Sequence, residues 1–210
     1  MSSSLQNYLD SNRQPVSPSE FAETKLLPPY NGSSWAVWGE NTHDLSIFED
    51  AEEIASRLRK DVVLVGANFG GGEDNDVSTM KPFQNFHTKG HRPDGKLRNA
   101  VTGTALEGAF MTDLVKNYPT KNASSLARDI VDPSFDFEKH IVAPFRAEQN
   151  ALGLNEDTLY ILMGGNTLKI WNVLVERGVY SDKQRFATMK HYAAAVTLTD
   201  EVNNLLNQDF

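Results

Sequence analysis

Three short, almost uninterrupted apolar runs constrain this chain more than any other feature. They are residues 61–66, 109–115 and 158–163. A strand with one wet face alternates polar and apolar residues, whereas continuous runs of this length suit strands buried on both faces. Between the runs the apolar spacing becomes helical. Ile47, Phe48, Ala51, Ile54, Ala55 and Leu58 lie at helical spacing over residues 45–60, as do Phe137, Ile141, Val142, Phe145 and Leu152 over 134–152. Shorter helices are predicted at about 100–107, over 122–130, from Asn166 or Thr167 to about Arg177, and from Thr199 onward. Weaker strands are predicted at 34–38 and 185–190. Repeated strand–helix alternation predicts a three-layer α/β/α fold around a mainly parallel sheet of four or five strands. Residues 1–34, rich in Ser, Asn and Pro, read as an N-terminal arm, wrapping or mobile, before a single domain over 35–210.

Composition narrows the chemistry. With no cysteine, the chain has no disulfide, thiolate metal site or cysteine nucleophile. No apolar run approaches the ~20 residues of a membrane span, and the first residues lack a basic segment followed by an apolar one. A cytoplasmic monomer that does not engage a membrane is the expectation. The net charge of −8 argues against a general polyanion binder, but residues 81–98 carry Lys81, Lys89, Arg92, Lys96 and Arg98 against Asp94 alone. That loop reads as either a solvated segment or a phosphate-facing one. His87 and His91 are four apart, a metal-ligand spacing on a helix. Gly90 and Pro93 argue for a loop there instead, so no metal is expected.

Mainly parallel sheets bind ligands beyond the carboxyl ends of their strands. The first of these ends reads Gly66, Ala67, Asn68, Phe69 and Gly70, without the Lys-Ser/Thr ending of a P-loop. Asn68 is the polar side chain within it, able to hold a water or meet a base edge. At the second end Asp113 interrupts an apolar strand, which is costly unless the charge is paired or used. The third ends at Gly164, Gly165 and Asn166, and the last at His191 and Tyr192. Phe83 and Phe86, in the long loop after the first end, read either as core aromatics or as platforms for a flat ligand.

Taken together, these four strand ends resemble the uracil-DNA glycosylase superfamily. Residues 66–70 look like the G-x-N-P-G motif of its mismatch-specific and single-strand-selective branches. Residues 111–116 are similar to a T-N-x-V-K segment. Residues 162–166 resemble a strand-to-glycine turn that meets DNA phosphates, and His191 falls where the family places the His of its second motif. The resemblance implies a DNA glycosylase that needs neither cofactor nor metal. Asn68 would position the water that attacks C1′ of a flipped nucleotide, and His191 would stabilise the departing base. Gly66, Ala67, Phe69, Phe83, Phe86 and Asp113 would surround that base. Lys81, Lys89, Arg92, Gly164, Gly165 and Asn166 would face single-stranded or mismatched DNA.

Phe69 stands where the family has Pro, and Tyr192 and Ala193 follow His191 where it has Ser-Pro. Asp113 stands where uracil-reading branches place Asn. An ionised Asp only accepts hydrogen bonds, so it suits a base edge that offers N–H groups. Two other functions are compatible with the residues. One is a glycosylase-like module that binds nucleic acid or nucleotide without catalysis, and the other is an α/β enzyme acting on a small nucleoside. A catalyst needs Asn68 and His191 on one pocket with an aromatic over it. A DNA binder needs Lys81, Lys89, Arg92 and Lys96 on the rim, and a small-molecule enzyme needs the pocket without that rim.

Overall fold

The computed structural model describes residues 3–28, 31–69, 79–118, 120 and 123–210. Gly70, the last residue of the strand end read above, lies outside the described residues. Five strands form one mixed sheet: β1 (Ser34–Trp35), β2 (Arg59–Asn68), β3 (Ala109–Val115), β4 (Leu159–Met163) and β5 (Phe186–Met189). Their order is β1-β3-β2-β4-β5. The last four run parallel, and β1 pairs antiparallel with β3.

The apolar runs are buried on both faces, as their composition requires. Val63, Val65, Tyr160 and Leu162 point into one core, while Val62, Leu64, Ile161 and Met163 point into the other. Helices α2 (Pro18–Lys25), α3 (Ala51–Ala55), α5 (Ala123–Asp129), α6 (Ala143–Leu152) and α7 (Gly165–Glu176) cover the first face. Helices α1 (Leu5–Ser11), α4 (Arg92–Val101) and α8 (Leu198–Leu206) cover the second. The fold is therefore α/β with helices on both sides of the sheet. No helix among the described residues is long and apolar enough to cross a membrane.

The N-terminal segment packs on both cores, through Leu5 and Leu9 on one and Phe21 on the other. Buried Arg59 pins it: its guanidinium pairs with Asp61 and also donates to the Leu9 carbonyl at 2.6 Å. Asp61 in turn accepts the Gln14 N–H at 3.0 Å.

Three elements differ from the sequence-based expectation. The helix expected over 45–60 is broken, because the Asp50 carboxylate accepts the N–H groups of Glu52 and Glu53 and starts a new, short helix. The helix expected at 100–107 lies earlier, over α4, where Pro93 occupies the first turn and needs no donor. The helix expected over 134–152 begins with a π turn (Glu138–Val142), and Pro144, which has no N–H to donate, follows it in the first turn of α6.

Candidate functional site

The carboxyl ends of β2, β4 and β5 open on a cavity of about 480 Å³. Its place follows from the topology. The chain leaves β2 for β3 through α4 on one face, and leaves β4 for β5 through α7 on the other, so the β2 and β4 ends part there.

Asn68, the last residue of β2, lines this cavity. Its Nδ2 donates to the carbonyls of Phe69 at 3.0 Å, Tyr118 at 3.3 Å and Thr120 at 3.3 Å. Three carbonyls can only surround an NH₂ group, so they decide which way the amide points and turn Oδ1 outward as an acceptor. Among the described residues no donor meets Oδ1. The carbonyl segment is itself held in place, because the Lys116 N–H donates to the His140 carbonyl at 2.8 Å and His140 Nδ1 bonds the Lys116 carbonyl at 2.9 Å. His140 belongs to the π turn, which ties that irregularity to the site.

His191 follows β5 and faces the same cavity. Its Nδ1 accepts the Ala193 N–H at 3.1 Å, so in the neutral ring the proton sits on Nε2. Burial, aided by nearby His91, lowers its pKa and favours that neutral form. Tyr192 stacks on the ring at 4.4 Å. Gly164 at the end of β4 makes the close approach possible. Its φ is +100°, and a Cβ there would stand 2.9 Å from that of His191. Gly164 is also the N-cap of α7, with no side-chain cap, so the first turn of α7 brings backbone N–H groups to the cavity wall at Gly165 and Asn166.

A second imidazole reaches the cavity from the start of α4. His91 Nδ1 pairs at 2.7 Å with Oδ1 of Asp94, whose side chain is 2% exposed. The other Asp94 oxygen accepts the Thr88 N–H at 2.9 Å. Sequence reading placed His91 only as half of a metal-ligand spacing. The informative signal was Asp94 three residues on, an acidic residue among basic ones.

Asn68, His191, Ala67, Phe69, Gly164, Gly165 and Asn166 are thus brought together. The expected aromatic platforms are not. Phe83 and Phe86 are 3% and 1% exposed, and each packs into a different core. Left-handed backbone at both positions (φ 64°) turns the loop back on itself. Ser34 and Trp38 hold it there through hydrogen bonds to the Phe83 and Phe86 carbonyls. The aromatics that do face the cavity are Phe69 and Tyr192. Gly66 and Asp113 lie one layer below. Asp113 Oδ2 accepts from Asn85 Nδ2 at 3.0 Å, and Asn85 stands between it and the cavity. Direct reading of a base by Asp113 is therefore not what the geometry provides, and sequence reading missed Asn85. Lys81, Lys89 and Arg92 are exposed, and neither they nor Lys96 line the cavity. Lys89 and Arg92 nonetheless flank His91, which does. His87 points away, with Nε2 on the Trp35 carbonyl at 3.2 Å, and shares no helix with His91. Lys116 is consumed in a buried pair with Glu148 at 2.6 Å.

Two buried groups near the site have opposite pH signatures. Burial pushes the Asp113 carboxyl up to about 6 from an ordinary 3.8, against the pull of Lys116 and Asn85. Folding therefore favours its protonated form, and the stability it contributes is fully present below pH 3.8 and lost as pH rises through about 6. Burial lowers His87 to about 4 from 6.5, so its contribution is present above pH 6.5 and lost as pH falls through about 4. Each is worth roughly 3 kcal/mol, and in the wild type they oppose one another. Asp113→Asn removes one of the two. On acidification from pH 7 to pH 4 the variant should lose roughly 2 kcal/mol relative to wild type in urea unfolding. Parallel pH profiles for the two proteins would show that the carboxyl does not titrate this way.

No protein-family model matches this sequence, nor does any curated protein or solved structure.

Proposed function

We propose that this protein hydrolyses the N-glycosidic bond of a base in DNA, using water held by Asn68 and charge stabilisation by His191. The observation that carries this reading is the pair of oriented groups on one cavity. Asn68 turns an acceptor oxygen outward and His191 presents Nε2–H as a donor. An acceptor is what an attacking water needs, and a donor is what a base carbonyl needs as negative charge builds on it. A neutral imidazole suits this task, since its donor strengthens its bond as the oxygen becomes anionic. Phe69 and Tyr192 supply flat walls for an extruded base. The α7 N-terminus, with exposed Lys89 and Arg92 beside His91, offers positive potential for the sugar–phosphate backbone. The resemblance to uracil-DNA glycosylases rests on the same Asn and His.

One observation favours a second reading. Among the described residues no Lys or Arg lines the cavity itself, as suits an enzyme that acts on a free nucleoside. Base release should be measured on single-stranded and mismatched oligonucleotides carrying uracil, hypoxanthine, xanthine or thymine, and on the matching nucleosides. Release from DNA, weakening as salt rises, is the expected result. Release from nucleosides alone would move the substrate to the second reading. No release from any substrate at high enzyme and low salt would leave a binding module.

A further inference from the structure

The cavity holds two imidazoles whose partners put their protons on opposite nitrogens. At His191 the Ala193 N–H occupies Nδ1, which leaves the proton of the neutral ring on Nε2. At His91 the Asp94 carboxylate can only accept, so Nδ1 carries the proton and Nε2 of the neutral ring is a bare lone pair. Neither Nε2 has a partner among the described residues. Asp94 is oriented from its other side by the Thr88 N–H, so the carboxylate is held rather than mobile. A half-exposed imidazole backed by a fixed, buried carboxylate is the arrangement of a general base.

We propose that His91, oriented by Asp94, takes the proton from the water that Asn68 holds. This rests on the hydrolytic reading above and adds a base to it. As the water oxygen bonds to C1′, the C1′–N bond breaks and its electron pair leaves with the base. The water proton passes to His91 Nε2. His191 Nε2–H faces the charge that develops on the base, which then takes a proton from solvent as His91 returns its own. Asn68 is an amide and cannot take a proton at neutral pH, so a site built on Asn68 and His191 alone lacks an acceptor for it. The titratable groups around the dyad are His191 and Tyr192 beyond the end of β5, with Asp113 and His87 behind Asp94. Lys96, on the same helix, is engaged with the Ala194 carbonyl.

Two measurements test the proposal. A long-range ¹H–¹⁵N correlation spectrum at neutral pH should place the His91 proton on Nδ1 and the His191 proton on Nε2. A His91 proton on Nε2 would overturn the proposal without reference to any substrate. In single-turnover base release His91→Gln, which can still donate to Asp94, should be slower by about 100-fold. His91→Ala should be partly rescued by free imidazole, which a purely structural role would not allow. Unchanged rates in His91→Gln, or no rescue of His91→Ala by imidazole, would remove the base role alone. No release by wild type would remove the hydrolytic reading and the base role together.

Discussion

Asn68→Ala should reduce base release by about 100- to 1,000-fold while leaving the fold intact. The size follows from what is lost. The acceptor oxygen is pre-oriented by three backbone carbonyls, so the wild type does not reorganise to hold its water. Alanine leaves the water to find its own place. The structural cost is smaller, about 1–2 kcal/mol, because the hydrogen bonds lost are part-buried ones near solvent. Substrate affinity measured with a non-cleavable analogue should change by less than tenfold, since Asn68 acts on the water rather than on the base. A variant that retains base release within tenfold of wild type would remove Asn68 from the mechanism. Loss of analogue binding in step with rate would make it a binding residue instead.

Gly66→Ala should be the most destabilising single methyl that can be added near the site, at about 3 kcal/mol. Gly66 lies inside β2, in register with Asp113 of β3. A Cβ there would run into Asp113 Oδ1, far inside contact distance. The carboxyl cannot simply turn aside, because Oδ2 is held by Asn85, whose amide also donates to the Gly32 carbonyl at 2.7 Å. Both the carboxyl and Asn85 are buried, so any displacement is passed to the cavity wall that Asn85 forms. The check is a double-mutant cycle. In an Asp113→Ala background the cost of Gly66→Ala should fall below about 1 kcal/mol, because the atom it meets is gone. An equal cost in both backgrounds would show that the clash is not with Asp113.

The continuous apolar runs of residues 61–66, 109–115 and 158–163 determined buried parallel strands, because side chains that must leave water on both faces of a strand have few other places to go. Strand direction and the glycine turns then placed Asn68, Gly164 and His191 at the same end of one sheet. Local capping chemistry was harder to see. Asp50 split one expected helix and Pro93 began another, and in each case a single side chain outweighed the apolar spacing.

Tertiary structure alone decided which groups meet the cavity. Phe83 and Phe86 were equally suited to core or ligand by composition. Their left-handed backbone and the hydrogen bonds from Ser34 and Trp38, about 50 residues away, sent both into the core. Asp113 sat at a promising strand end, yet Asn85 from a distant loop covers it. The orientation of Asn68 depends on carbonyls 50 and 52 residues away, and that of His191 on a backbone N–H two residues on. A sequence states which donors and acceptors are present. Which of them pair, and which are left facing the cavity, follows only from packing, because each buried polar group must find its partner among whatever the fold brings within about 3 Å.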